Sequence, residues 1–201
     1  SRLADEDLAR FAAAKYRFPG VEIRARLFRT YPYGESASHL IGYVGRMSKG
    51  DRERLEENGD LSEYAGTTHI GKNGVELSYE STLHGEAGAE EVEVSASGRT
   101  VRSLSRVAFE AGANVVLTFD IELQRLIEQW YGDRRGALVA IEPATGEILA
   151  FVSKPTYDPN LFVDGIDPQT WATLNDDPDK PLLDRALRGT YPPGSTYKPF
   201  M

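Results

Sequence analysis

Residues 136–153 read GALVAIEPATGEILAFVS, two apolar runs separated by the turn segment EPATGE at 142–147. Each run has strand length, and Pro143 and Gly146 supply the turn chemistry between them. If both runs are strands, they carry apolar residues on both faces, the pattern of buried strands covered on each side. This segment is therefore expected to be the core hairpin of a layered sheet-and-helix domain.

Upstream, Asp120 is placed to cap a helix whose Leu123, Leu126, Ile127 and Trp130 fall on one face, closed by Gly132. Residues 114–118 read as a β-branched strand, and composition shifts at Ala111-Gly112. Earlier still, Glu91-Val92-Glu93-Val94 alternates, turns through Ser97-Gly98 and alternates again through Val101 and Leu104, which predicts a hairpin exposed on one face. Ser48 should cap a charged surface helix ending at Asn58-Gly59. Tyr31-Pro32-Tyr33-Gly34 turns the chain. Val21, Ile23, Ala25 and Leu27 alternate with charged residues as in a half-buried strand, and Leu8, Phe11 and Ala12 share a helical face that ends by Pro19-Gly20. Downstream of the core hairpin, residues 154–190 are rich in Pro, Asp and Asn and predict an irregular segment with a short amphipathic turn at Trp171 and Leu174.

The chain has 201 residues, 40% hydrophobic and 27% charged, the make-up of an ordinary globular protein. A formal net charge of −8 disfavours nucleic acid, since phosphate recognition needs clustered Lys and Arg. The absence of cysteine removes disulfides, thiolate catalysis and sulfur-bound zinc, and leaves the compartment undecided. No apolar run reaches the roughly 20 residues needed to span a bilayer. His39, His69 and His84 lack metal-binding spacing and read as structural or surface residues. Residues 71–74, GKNG, lack the spacing of a phosphate loop and read as a turn before a helix at Val75. Glu142 and Glu147 resemble a glycosidase pair only in type; a solvated turn explains them better. Tyr157 and Trp171 read as packing residues rather than a glycan groove.

One segment carries chemistry. Residues 191–200, YPPGSTYKPF, put Ser195 at the start of a helical turn with Lys198 three positions on. Residues three apart on a helix are neighbours, so an unprotonated lysine amine can take the serine proton, and the free N–H groups at the turn's start favour a developing oxyanion. Ser-x-x-Lys alone is a weak signal. It is also the nucleophile motif of penicillin-binding proteins and class A β-lactamases, where it is joined by Ser-Asp-Asn and Lys-Thr-Gly, and where the identity of the base has been argued.

The blocks around it are more specific. GALVAIEPATGEILAFVSKPTYDPNLFVDGI, LNDDPDKPLLDRAL and GTYPPGSTYKPF closely resemble the opening of the transpeptidase domain of the penicillin-binding protein 2 family, the class B, elongation-specific peptidoglycan D,D-transpeptidases. YRFPGVE, YPYGESASHLIGYVGR, GKNGVELSYESTLHGEAGAEEVEVSASGR and LTFDIELQ resemble that family's non-catalytic pedestal and its junction. The resemblance covers essentially the whole chain. It implies an α+β fold: a mixed α/β pedestal of the dimerisation type over residues 1–110, then, over 111–201, the N-terminal part of a serine β-lactamase-like transpeptidase domain that stops after its first catalytic motif.

It further implies that Ser195 forms the acyl-enzyme and Lys198 is its general base, with the D-Ala-D-Ala stem peptide as substrate and β-lactams as inhibitors. The Ser-x-Asn and Lys-Thr/Ser-Gly elements are expected beyond Met201, and so are the ligands of the zinc that some full-length members carry. No cofactor and no metal is assigned within this chain, and the piece alone is expected to be inactive. The implied partners are a SEDS-family glycosyltransferase of the rod complex and the scaffold protein MreC, at the periplasmic face of the bacterial inner membrane, with a membrane anchor upstream of Ser1. Two other readings stand beside the enzyme: a scaffold that docks partners while chemistry lies elsewhere, and a β-lactam sensor or β-lactamase, which would lack the pedestal blocks.

Overall fold

Asp5, Glu6 and Asp7 place negative charge on the free N–H end of α1 (Asp5–Ala13), a favourable pairing with the helix dipole. The computed structural model describes residues 3–18, 20–21, 23, 27–96 and 100–200. The helix stops before the expected Pro19-Gly20 boundary and passes into a 3₁₀ turn at Lys15–Arg17, with Phe11 and Phe18 stacked at 5.6 Å; Pro19 lies outside the described residues. So do Glu22, Arg24, Ala25 and Arg26 of the expected strand at 21–27, and its described members Val21, Ile23 and Leu27 are not in a strand.

Next come α2 (Ser38–Ile41), β1 (Val44–Arg46), α3 (Lys49–Asn58), β2 (His69–Gly71), α4 (Gly74–Ser78) and α5 (Glu80–His84). Strands β1 and β2 pair antiparallel, Val44 opposite Gly71 and Arg46 opposite His69. As expected, Ser48 caps α3: its hydroxyl accepts from Asp51 N while the Asp51 carboxylate accepts from Ser48 N, and Gly59 ends the helix at φ 84°. Leu55, Tyr64 and Ile70 form a small core backed by Met47. Helices α2 and α4 approach at a distance that only glycine permits, since a Cβ on Gly42 would sit 2.0 Å from the Asn73 carbonyl oxygen and one on Gly74 2.5 Å from that of Leu40.

The ribbon β3 (Ala89–Val94) and β4 (Thr100–Val107) matches the expected hairpin, but its Ser97-Gly98 turn lies outside the described residues. All of β3 is exposed, so the ribbon is open on both faces rather than one. Its Glu93 and Arg102 form a cross-strand ion pair at 2.5 Å, and register shifts beside Val92 and Val94 break the strict alternation of sides.

Residues 114–118 do not form the expected strand. Their last residue, Thr118, donates to the Ile148 carbonyl at 3.0 Å, and just beyond them Asp120 N donates to that of Leu149 at 2.8 Å. Val116 remains 92% exposed. Asp120 caps α6 (Ile121–Tyr131) by accepting from Glu122 N and Leu123 N. The buried face of α6 is displaced from the expected one. Gln124 and Ile127 are buried, whereas Leu126 and Trp130 face outward.

The core hairpin is present as β5 (Gly136–Ile141) and β6 (Ile148–Lys154), with Leu138 opposite Val152 and Ala140 opposite Ala150. Ile127, Ala150 and Val152 form its core with Leu123, Leu138 and Tyr131 against them. Strand β6 is buried from Ala150 to Ser153; β5 is not covered on both faces, Val139 and Ile141 being exposed. The segment expected to be irregular holds a 3₁₀ turn at Pro159–Phe162, α7 (Pro168–Asp176) and α8 (Arg185–Arg188), each begun by an aspartate cap at Asp158, Asp167 or Asp184. Among the described residues no helix is long and apolar enough to cross a membrane.

Candidate active site

Ser195 and Lys198 lie in a final 3₁₀ turn, Gly194–Phe200. With three residues per 3₁₀ turn, positions i and i+3 eclipse, so the two share one edge. The turn is prepared by Gly194, whose φ of 54° few other residues adopt, and by the Pro193 carbonyl, which accepts from both the Thr196 N–H at 3.3 Å and its hydroxyl at 2.6 Å. Both candidate side chains are exposed, and among the described residues no hydrogen bond joins them. What the arrangement offers is a hydroxyl and an amine on one edge of a short helical turn.

The segment that precedes this turn is well fixed. The Arg185 N–H donates to Ser153 Oγ on β6 at 2.9 Å, and that hydroxyl donates to the Leu183 carbonyl at 3.3 Å. The buried Arg185 guanidinium donates to the carbonyls of Asp179, Lys180 and Leu183. Sequence reasoning missed Arg185, Ser153, Glu128 and Asn160; the available signal for Arg185 was a charged Asp-Arg pair set in the apolar stretch LLDRAL.

Residues 31–43 pack directly on this unit. Glu128 on α6 accepts from Ala37 N at 3.0 Å and from the Ser36 hydroxyl, gripping a turn whose Ala37 sits at φ 56°. Ser38 and Thr156 share a hydroxyl contact, and Thr156 donates to the Glu35 carbonyl at 2.9 Å. Nearby, Glu76, 2% exposed, is met by Arg29 Nε at 2.6 Å and the Tyr31 hydroxyl at 3.2 Å. Burial, reinforced by that carboxylate, pushes the Tyr31 phenol well above its usual range.

The other candidates fall into structural places. His39 is buried with its ring edge-on to Tyr157 at 5.1 Å; burial lowers its pKa, against the opposing pull of Asp184. His84 stacks on Tyr64 and shares a 2.7 Å bond with Thr67. His69 bonds Thr68 through Nδ1. Among the described residues no group of three or more His, Asp or Glu side chains could hold a metal ion. The Glu142 and Glu147 carboxylates accept from Ala144 N and the Thr145 hydroxyl within their own turn. Lys72 pairs with Asp51. Tyr157 is buried, its hydroxyl accepting from Asn73 Nδ2 at 3.1 Å, while Trp171 stays half-exposed with its ring edge-on to Phe162.

Comparison with known proteins gives this geometry a context. The chain is 48% identical over 201 residues to the peptidoglycan D,D-transpeptidase MrdA of Escherichia coli K12, covering all of this chain and 32% of that relative. It spans about a third of the length of the curated relatives it matches. Among solved structures it is similar to Pseudomonas aeruginosa PBP2 in complex with WCK 5153, with a TM-score of 0.71 and 44% identity over 89% of this chain and 35% of that one. It is also similar to the PBP2 of the Helicobacter pylori PBP2–MreC complex, with a TM-score of 0.81 and 31% identity over 98% and 36% of the two chains. Residues 1–117 match the penicillin-binding protein dimerisation domain and residues 136–201 the penicillin binding protein transpeptidase domain, so the chain belongs to the penicillin-binding proteins.

Proposed function

We propose that this chain is the nucleophile-bearing part of a peptidoglycan D,D-transpeptidase that cross-links stem peptides during cell-wall elongation. One observation carries the reading: similarity along the whole of this chain to relatives named D,D-transpeptidases coincides with a Ser-x-x-Lys turn downstream of the β5–β6 hairpin. Ser195 Oγ attacks the carbonyl carbon between the two terminal D-Ala residues while its proton passes to the unprotonated Lys198 amine. The tetrahedral adduct then breaks its C–N bond, the proton goes to the departing D-Ala amine, and an ester to Ser195 remains. An amine from a neighbouring stem peptide attacks that ester, forms the new amide and returns the proton to Ser195. A β-lactam enters the same first step, but its opened amine stays tethered to the acyl group.

The domain organisation follows the same reading, with residues 1–110 as a non-catalytic pedestal and 111–201 as the beginning of the transpeptidase domain. The solved complex of a similar PBP2 with MreC supports MreC as a partner of the pedestal, and the elongation role adds a SEDS-family glycosyltransferase. Cell-wall chemistry puts the full-length protein at the periplasmic face of the inner membrane, held by an anchor preceding this region. Docking and catalysis are compatible roles of one protein.

The test is covalent labelling of the full-length protein by a fluorescent penicillin, followed by peptide mass spectrometry. The label is expected on Ser195 and absent from Ser195→Ala at unchanged Tm. Label retained by Ser195→Ala would overturn the assignment.

A further inference from the structure

We propose that Arg185 is a positioning residue for Ser195, an inference that rests on the acyl-enzyme reading above. Arg185 is 8% exposed, and among the described residues no carboxylate pairs with its guanidinium. Its charge is met by carbonyl oxygens: Nη1 donates to Lys180 at 3.0 Å and Leu183 at 3.4 Å, and Nη2 donates to Asp179. Burying a cation against carbonyl dipoles is costly compared with an apolar side chain of similar volume. A planar, rigid fork of donors, however, can hold several carbonyls of one loop in fixed directions, which an apolar chain cannot do and a freely rotating ammonium does less well. One of those carbonyls belongs to Lys180, whose backbone is held at φ 46°.

From Arg185 a series of fixed links leads to Ser195. The Arg185 N–H is tied to Ser153 Oγ on the most buried strand. The Asp184 carboxylate caps α8 at Ala186 N and Leu187 N, and the Gly189 N–H closes it on the Arg185 carbonyl at 3.1 Å. Gly189 is pressed so closely between that carbonyl and the Tyr191 ring that a Cβ would lie 2.4 Å and 2.7 Å from them. The chain thus leaves α8 in one direction. Pro192 and Pro193 fix two further φ angles, and Pro193 then accepts both bonds from Thr196, the residue after the nucleophile. The Gly189 bond, the crowding at Gly189 and the two prolines leave few free backbone angles between α8 and Ser195, and this is the route by which a shift of α8 would reach the nucleophile.

The experiment uses the full-length protein and a fluorescent penicillin, with the concentration dependence of labelling separating initial affinity from the acylation step, and Tm measured in parallel. Arg185→Lys keeps the charge but loses the fork, and Ser153→Ala loosens α8 from the other side. Both are expected to slow acylation about tenfold to a hundredfold, the scale of an ångström-level misplacement, with initial affinity within about twofold of wild type. Should Arg185→Lys fail to fold, Ser153→Ala decides. Arg135→Ala, which removes the exposed ion pair to Asp179 at 3.2 Å, is expected to acylate normally. Wild-type acylation by the folded fraction of the α8 variants would overturn the proposal, as would an equal loss in Arg135→Ala, because either means that Arg185 only stabilises its loop. Label retained by Ser195→Ala would instead remove the acyl-enzyme reading itself.

Discussion

Asn160 meets the peptide unit of Tyr31 with both ends of its amide: Oδ1 accepts from the Tyr31 N–H at 2.9 Å and Nδ2 donates to the Tyr31 carbonyl at 2.9 Å. The two residues are 129 positions apart, and the side chain stands in for the edge of a strand. Nδ2 also donates to Asp158 Oδ1 at 2.8 Å, which sets the amide's orientation. Asn160→Asp keeps the shape but removes both donors and sets a second carboxylate against Asp158. A loss of about 1–3 kcal/mol is expected from the unpaired, part-buried carbonyl, measured by chemical denaturation. Unchanged stability would mean that the amide pair adds nothing to the docking of residues 31–43.

A second prediction concerns His39, faced by the Tyr157 ring, by Asp184 and Arg185, and by the carbonyls of Pro155 and Pro181. Burial lowers its pKa in the folded state; Asp184 and the two carbonyls oppose this and Arg185 reinforces it. Well above the unfolded value of about 6.5 both folded and unfolded forms are neutral and no proton linkage arises. As pH falls below that value the unfolded chain binds a proton that the folded one resists, so stability declines with a slope of up to roughly 1 kcal/mol per pH unit. Denaturation midpoints at pH 7, 6 and 5 should therefore fall more steeply in wild type than in His39→Gln. Parallel profiles would exclude His39 as the source.

These two sites show what sequence could and could not reveal. Cap and turn chemistry is local, so Ser48, Asp120 and Gly59 were legible as helix boundaries, and so was the 136–153 hairpin from its apolar runs. Side chains that imitate a backbone partner are not local. Gln124 lies off the apolar face expected for α6, yet its amide pairs with both the N–H and the carbonyl of Phe151 at 2.8 Å and is wholly buried. That pairing turns the helix so that Trp130 faces outward. The 154–190 segment was misread for a related reason: Pro and Asp were taken as breakers, whereas here they start helices, with Pro159 and Pro168 in first turns behind Asp158 and Asp167. Spacing alone puts Ser195 and Lys198 on one turn, as the structure has them, but the supports of Arg185 depend on a loop that spacing cannot describe.

A third prediction follows from Asp51. Partial burial opposes its charge, but hydrogen bonds from Lys72 and from the Ser48 hydroxyl and N–H outweigh that cost and hold the carboxyl down to about 2. Because the folded value is depressed, its stabilisation is present above the unfolded value of about 4 and is lost as pH falls towards 2. Because Ser48 still holds the carboxylate, Lys72→Met should cost about 1 kcal/mol at pH 7, and less at pH 2, where about half of the folded Asp51 is already protonated. A mutational cost that does not shrink on acidification would show that Lys72 acts through packing rather than charge.

The last prediction bears on the chemistry of the Ser195 and Lys198 turn. Arginine has a reach similar to that of lysine and the charge of its protonated form, but a guanidinium does not give up its proton in a protein, so it cannot receive another from serine. In the full-length protein, Lys198→Arg should therefore leave the turn in place and slow acylation by a reactive penicillin about 100- to 10,000-fold, the usual worth of a general base. If Lys198 contributed only positive charge to the oxyanion, arginine would substitute with little loss. Time courses of labelling at saturating penicillin distinguish the two. Near wild-type acylation by Lys198→Arg, with label still confined to Ser195, would mean that another group accepts the proton and that the lysine acts by its charge alone.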